Sequence, residues 1–562
     1  MISKLSSRFE SVSTGRHLAT RVALLIVACG LLYVFRPAVH GLVYPIAYSA
    51  TGLLVGGVTV SMAVGLWLAP PLKTEGRQID GGSLGLFLSD SAVLKLSVLG
   101  TVFGIAVVIG FVYSVPAGMV AESTLADRTM ADSERIDGLP AINAENPRIV
   151  PRAVADVQTR GSTSYRTHRL GPSDIARAED GTLAWSYAIE PDGVRNKLLS
   201  TQRGVLLSDM TRIENRSITA YDDQSFAIGE GMYLHRGADW NLKSTDFLAQ
   251  YNDDAVEFTH NGTAYMYYPK TGHEWQLTPI PHTVPVWEGG ALISPDGTIT
   301  HLTPDEAQAS AILDGQRLYP LYNTEREMRS LGYRNGIINQ LPVVGQHEGE
   351  VEVATLPAGA GNSQPFVIDL DGERMSYVTA MEPYGEDSRG LDEIFFVDAT
   401  TGETRYFASE GETLTGPERA MGIVRSADSQ TGWGDNFVVV EPIPVFVDDD
   451  LWWHSKVVPT DNTDISRNVF VNADNGETVS LATTDAVRSF LAGEDVDDET
   501  VKTEPAPDRE GVDYYIVITG GDGEEIERIP VGPGENPTIE YVPAGEASGD
   551  TVGSENSSDP AS

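Results

Sequence analysis

Three apolar blocks crowd the first 120 residues, and they constrain this chain more than anything that follows. Residues 22–35 are bounded by Arg21 and Arg36, residues 41–69 form a longer block, and residues 93–119 close the set. At roughly 1.5 Å per residue, about 20 helical residues cross a hydrocarbon core. The second and third blocks satisfy that length. The first has 14 uncharged residues, so it spans only if residues 17–20 join it and Arg21 and Arg36 reach toward opposite faces. The stretch GLLVGGVTVSMAVG in the second block is rich in small residues, which lets helix backbones approach closely.

Basic residues orient the blocks. Lys4, Arg8, Arg16 and Arg21 precede the first helix, and Lys73, Arg77 and Lys95 lie in or beside the loop at 71–92. The loop between the first two helices offers only Arg36. The positive-inside rule therefore expects a cytoplasmic N-terminus, and three crossings place everything after residue 120 outside.

The 562 residues carry a formal net charge of -41, and only 8 of the 39 basic residues are lysine. Acidic, lysine-poor surfaces suit molar salt, where hydrated carboxylates keep a chain soluble and screening removes their repulsion. The composition points to a haloarchaeal source. It also argues against nucleic acid as a partner, because no basic stripe exists to displace counterions. Cys29 is the single cysteine, which excludes intrachain disulfides and cysteine-cluster metal sites. The apolar run continues past it, where a processed lipoprotein would turn polar.

Beyond the membrane blocks the sequence is organised by hairpins. Residues 364–383 (QPFVIDLDGERMSYVTAMEP) read as a strand, an Asp-Gly turn, an aromatic strand and a closing proline. The outline recurs at 174–191 (DIARAEDGTLAWSYAIEP), 255–269 (AVEFTHNGTAYMYYP) and 441–459 (EPIPVFVDDDLWWHSKVVP). A second hairpin follows each one, weakly at 204–210 and clearly at 289–302, 393–407 and 468–481. Short helical patterns follow the last three, at 303–306 with a capping box, at 415–424, and at 484–491 with Gly493 as its stop. Another helix is expected at 323–331.

The fold class expected is α+β: three N-terminal transmembrane helices, then a β-rich ectodomain of repeated antiparallel hairpin units with short helices. The divisions are an anchor (1–120), a linker (121–146), units one and two (147–320) and units three and four (321–493). An acidic linker with a terminal hairpin (494–542) and a disordered tail (543–562) complete the chain.

The turns VDATTGETRYF and VNADNGETVSL resemble the closing hairpin of PepSY-type domains over about 40 residues per unit. The resemblance implies an extracytoplasmic, non-catalytic module that modulates or binds other proteins. In the PepSY pattern the helix opens the module, whereas here it follows the hairpins.

Catalytic patterns are sparse. Residues 81–85 (GGSLG) match G-x-S-x-G around Ser83, but within a short loop between membrane helices and not on a strand-to-helix turn. His260, His273 and His282 fall in or near strands of the second unit, where a zinc site is conceivable; none of the ten histidines forms HExxH. Asp448, Asp449 and Asp450, with Asp369 and Asp371, offer hard oxygen ligands, though a run of aspartates in so acidic a chain is ordinarily a solvated turn. No P-loop or dinucleotide fingerprint is present, and no cofactor is expected.

Asn215, Asn261 and Asn556 head glycosylation sequons. Trp452 and Trp453 alternate faces of one strand, so one is expected in the core and the other as an exposed partner contact.

These features favour a non-enzymatic, multi-pass cell-membrane protein. Its partners would be the bilayer and an extracellular or envelope protein, with no nucleic acid. The alternatives are an envelope protein of a virus or vesicle-forming element, and a surface hydrolase built from dispersed carboxylates such as Asp387, Asp392 or Asp448.

Overall fold

Four sheets in a row follow four N-terminal helices, and the body of each is an antiparallel meander; Gln250–Tyr251 adds to the second, and Ser133–Arg135 and Val351–Val353 to the third. The computed structural model describes residues 2–69, 90–162, 164–214, 216–251, 255–341, 345–357, 363–370, 374–385, 390–409, 414–427, 433, 436–448, 450–494, 496, 501–503, 514–519 and 525–531. The chain divides into one unit ending at Thr503 and a second beginning at Glu504. In the second unit, Tyr514–Thr519 pairs antiparallel with Glu525–Val531, as the sequence leads one to expect of its terminal hairpin. The expected turn at 520–523 and the tail at 543–562 lie outside the described residues.

Helix α1 (Ile2–Val34) gives way at Phe35 to α2 (Arg36–Ala47), followed by α3 (Ala50–Leu68) and α4 (Asp90–Asp132). Two helices are long and apolar enough to cross a membrane, Ala50–Leu68 and Lys95–Asp132. A third span counts if Leu18–Val34 and Arg36–Ala47, bent by 92°, are taken as one. The block at 41–69 is therefore not one helix. Pro37 in the first turn of α2 and Ser49, whose side chain accepts the Gly52 N–H as an N-cap, set the two breaks. Small residues act as the sequence suggests: a Cβ on Gly110 would meet Val55 and Thr51 of α3, and one on Gly52 would meet the Ile46 backbone.

Arg21 donates to the carbonyls of Trp67 and Ala69, and Lys95 to those of Leu66 and Ala69, so two cations cap the C-terminus of α3. Large apolar side chains of α4 are exposed from Leu96 to Val115, and burial sets in at Val120, Leu125 and Ala126. The stretch 121–146 is not a linker: α4 continues to Asp132, and Ser133–Arg135 then joins the third sheet in parallel with Thr404–Ala408.

After α5 (Arg152–Ser162), sheet I holds His168–Arg177, Leu183–Pro191, Val205–Asp209 and Ile218–Tyr221. Helix α6 (Val194–Leu199) lies between its second and third strands, and α7 (Ala238–Thr245) follows it in sequence. Sheet II holds Val256–His260, Thr263–Gln276, His282–Ile293 and Ile299–Leu302, and is followed by α8 (Pro304–Gln308) and α9 (Leu321–Ser330). Sheet III is built on Phe366–Leu370, Arg374–Pro383, Glu393–Asp398 and Thr404–Ala408, followed by α10 (Pro417–Ala427). Sheet IV is built on Phe437–Val447, Asp450–Pro459, Arg467–Asn472 and Thr478–Leu481, followed by α11 (Thr484–Leu491).

The turn chemistry repeats between sheets III and IV. Asp398 Oδ1 accepts the N–H groups of Thr400 and Thr401, and Asn472 Oδ1 those of Asp474 and Asn475. Each turn ends on a glycine with positive φ, Gly402 at 78° and Gly476 at 74°, a conformation that a side chain would strain. The α8 capping box is present, with Thr303 and Glu306 bonding reciprocally.

Sheets I, III and IV share one apolar core, and sheet II packs on sheet I through Val256, Phe258 and Leu292. Within the shared core runs a polar hub. Arg148 Nε donates to Glu441 Oε2 at 3.0 Å, and Nη2 lies 2.9 Å from the same oxygen, off hydrogen-bond alignment. Glu441 Oε1 accepts the Arg152 N–H. Lys456 Nζ lies 3.5 Å from the carbonyls of Glu441 and His454. Arg177 and Asp369 tie sheet I to sheet III at 2.5 Å.

Burial draws the Lys456 ammonium down to about 7; Glu441 opposes the shift and Arg148 adds to it. An unfolded lysine titrates near 10.4. Between the two values the unfolded chain binds more protons than the folded one, so stability rises with pH there, and the cost of the buried charge is fully present below pH 7. Relative to Lys456→Met, the wild type is expected to gain on the order of 3 kcal/mol between pH 7 and 9.5. A difference curve that stays flat over that range would refute the buried, proton-shedding lysine.

Candidate functional site

Sheet II departs from the shared plan in one place. In sheets I, III and IV the second strand ends at a proline, Pro191, Pro383 or Pro459. In sheet II the strand passes through Pro269 at a register shift, runs on to Gln276 and returns from His282. The extension, residues 270–288, reaches the apolar N-terminal helices. Here the ends of the apolar segments meet the β-rich body.

Thr283 Oγ1 donates to the Tyr48 carbonyl at 2.7 Å, between α2 and α3. Tyr113 of α4 donates its hydroxyl to the Pro281 carbonyl at 2.8 Å. His282 Nδ1 donates to Ile280 O at 2.7 Å, and Nε2 lies 3.0 Å from Thr124 Oγ1 of α4, a hydroxyl that itself donates to Val120 O at 2.8 Å. Arg128 of α4 pairs with Glu274 at 3.2 Å, and Arg326 of α9 pairs with Glu122 of α4. On the other flank Arg36 donates to Ser244 O, His40 donates to Ala249 O at 3.0 Å, and Phe35 stands edge-on to Trp240 at 6.4 Å.

Between these bonds lies a stack of rings. His40 faces Tyr44, Tyr44 contacts Tyr48, and Tyr48 stacks on His273 at 4.9 Å. Burial draws His273 down to about 4, with the Arg326 charge adding to it, so it is neutral at neutral pH. Flat rings joined to polar backbone contacts make the joint. The arrangement can fix the orientation of the β-rich body to the helices.

The spacing of His40, Tyr44 and Tyr48, four residues apart, was the available signal. It puts three polar aromatics on one helical face inside a block that otherwise reads as lipid-facing.

Other candidates separate. Trp453 is fully buried, its Nε1 donating to Thr415 O at 2.6 Å, and Trp452 is 7% exposed with Phe490 of α11 edge-on at 5.2 Å. Neither offers a face to a partner. Alternation along a strand exposes a residue only when one sheet face is open, and sheet IV is covered on both. Asn261 is exposed at φ 52° in its hairpin turn, and Asn215 and Asn556 lie outside the described residues.

Asp369 accepts from Arg177, Asn143 and Asn146, so its oxygens serve the hub and not a cation. Asp450 accepts from Asn472, Asp448 lies against Gly493, and Asp392 sits 3.9 Å from Arg334. Ser83, Asp371, Asp387 and Asp449 lie outside the described residues. His260, His273 and His282 belong to the same sheet, yet among the described residues no group of three His, Cys, Asp or Glu could hold a metal ion.

A cleft of about 240 Å³ opens between sheets I and II, lined by Asp174, Glu190, Glu230, Asp239, Tyr251 and Tyr268 among others. Its acids are occupied: Glu190 pairs with Arg169, Asp174 with Arg317, Asp239 with Lys243, and Glu230 accepts the Tyr268 hydroxyl. Glu257 is buried and accepts the Ser186 hydroxyl at 2.6 Å. Burial raises its carboxyl well above the usual range, and Glu230 and Asp174 add to that. It is not among the residues that line the cleft.

No family model, curated protein or solved structure matches the chain.

Proposed function

We propose that this chain is a membrane-anchored surface protein of a salt-adapted, haloarchaeal-type envelope. Three spans fasten it, the N-terminus is cytoplasmic, and the β-rich ectodomain outside binds or organises another envelope protein. The observation that carries the reading is the joint itself: apolar helices end in hydrogen bonds and stacked rings against one extended hairpin. A body held this way keeps a set attitude to the bilayer, which suits a platform for neighbouring proteins.

The arrangement of the helices supports the same reading. Arg21 and Lys95 meet the far end of α3, while Phe35, Tyr48 and Tyr113 meet the ectodomain. With basic residues at the far end, the positive-inside rule sets the ectodomain outside. The PepSY-like hairpins point the same way.

Proteinase applied to intact cells in growth-level salt tests the topology. An epitope on the ectodomain should disappear while an N-terminal tag survives until lysis. An ectodomain that stays whole while other surface proteins are cut would place it inside and sink the proposal.

A further inference from the structure

Three contacts fix where the bilayer surface passes the ectodomain. From Lys95 to Tyr113 α4 rises roughly 27 Å, about the thickness of a hydrocarbon core. Tyr113, Tyr48 and Phe35 therefore lie near one interface, and they touch Pro281, Thr283 and Trp240 of the ectodomain. Whatever adjoins those three residues is level with lipid headgroups.

What adjoins Trp240 is apolar and exposed. Leu198, Met232, Tyr233, Leu234, Asp239 and Trp240 line a shallow hollow of about 350 Å³. On its rim Leu199 is 67% and Val194 68% exposed. Leu234 has φ 57°, a left-handed conformation that costs an L-residue about 1 kcal/mol; a leucine held there and exposed calls for an apolar neighbour. Beside Pro281, Leu277 is exposed as well.

The charge also differs from the rest of the chain. Arg195 and Lys197 lie on α6, His235 and Arg236 on the facing segment, and Arg36 at the top of the anchor. Lys197 stands over Tyr233 at 5.5 Å. Of the nearby acids, Asp239 is paired with Lys243, and Asp192 Oδ1 accepts the Gly193 N–H. In a chain of net charge -41 this is a local cationic rim around an apolar centre.

We infer that this face, α6 with residues 232–240, lies in the headgroup layer of the bilayer that the chain's own helices cross, its leucines among the acyl chains and its cations on anionic headgroups. The inference rests on the membrane reading above. In molar salt the screening length is only about 3 Å, so the cations act at contact and the apolar side chains supply most of the affinity. The tilt of the whole ectodomain then has two supports, the joint at sheet II and this face.

The test uses the full chain with Cys29→Ser, in vesicles of phosphatidylglycerol and phosphatidylcholine carrying nitroxide-labelled lipid. Single cysteines at Leu199, Leu234, Val60 and Asp461 each receive an environment-sensitive fluorophore. Lipid nitroxide should quench labels at 199 and 234 at least about twofold more than at 461, and Val60 of α3 should be quenched strongly. Quenching at 60 with 199 and 234 behaving like 461 would overturn the interfacial face and leave the anchor standing. Labels at 199 and 234 shielded from aqueous quencher yet untouched by lipid would overturn it in favour of a protein partner or a second copy. An unquenched 60 would remove the anchor, and the inference with it.

Discussion

Replacing Glu441 by glutamine is expected to lower the stability of the folded chain by about 3–5 kcal/mol, the usual cost of stranding a buried ion. Glu441 is fully buried and is the counter-ion of the equally buried Arg148, with Lys456 Nζ beside its backbone carbonyl. The arginine cannot shed its proton, and its guanidinium is only 2% exposed between the rings of Trp185 and Phe366. Without the carboxylate, Arg148 retains the Val367 carbonyl and those two ring faces and loses its counter-charge. Glu441 also sits at φ 48° in a strand irregularity between Val440 and Ile443, so the chain accepts backbone strain to bring the carboxylate there.

The measurement is the denaturation midpoint of the full chain in detergent and molar salt, followed by tryptophan fluorescence. Adding Arg148→Met to the Glu441→Gln chain should restore part of the loss, because the stranded guanidinium is gone, whereas Lys456 sheds its proton once the carboxylate that opposes its lowered pKa is removed. A midpoint within about 0.5 kcal/mol of wild type would mean that water reaches the hub, as at an ordinary surface site.

Legibility followed locality. The turns at Asp398 and Asn472 could be read because an Asx side chain bonding its own loop and a glycine with positive φ need nothing distant. The α8 capping box and the stop of α11 at Gly493 are local in the same sense. The four meanders were legible because each closes on sequence neighbours.

What failed depends on what lies opposite. The block at 41–69 reads as one span because apolar length cannot report that its first turns pack on a hairpin near residue 280. One of Trp452 and Trp453 reads as exposed because alternation carries no information about a helix laid on the second face. The hub joins Arg148 to Glu441, nearly three hundred positions away, by charge alone, and a chain with 80 acidic residues hides that pair among many. The extension of sheet II beyond Pro269 was visible as aromatic sequence up to Trp275, but a closing proline suggested that it stopped.

Asp369→Ala is the second large effect, expected at about 3 kcal/mol, and it bears on whether sheets I and III act as one body. Asp369 is 1% exposed, and its two oxygens collect four donors. Arg177 Nη2 approaches at 2.5 Å and Nη1 at 3.2 Å, Asn143 Nδ2 at 2.9 Å and Asn146 Nδ2 at 3.3 Å. Arg177 comes from sheet I, and the asparagines from the segment that leads out of α4, so one carboxylate joins three parts of the chain. Truncation strands the guanidinium and leaves both amides short of an acceptor. Arg177→Leu alone should cost a similar amount by stranding the carboxylate instead. The double variant should cost less than the sum of the two, by at least about 1 kcal/mol, since removing both partners leaves no unpaired charge. Strict additivity in that cycle would show that the pair does not couple the sheets, and the proposed platform would lose its main internal tie.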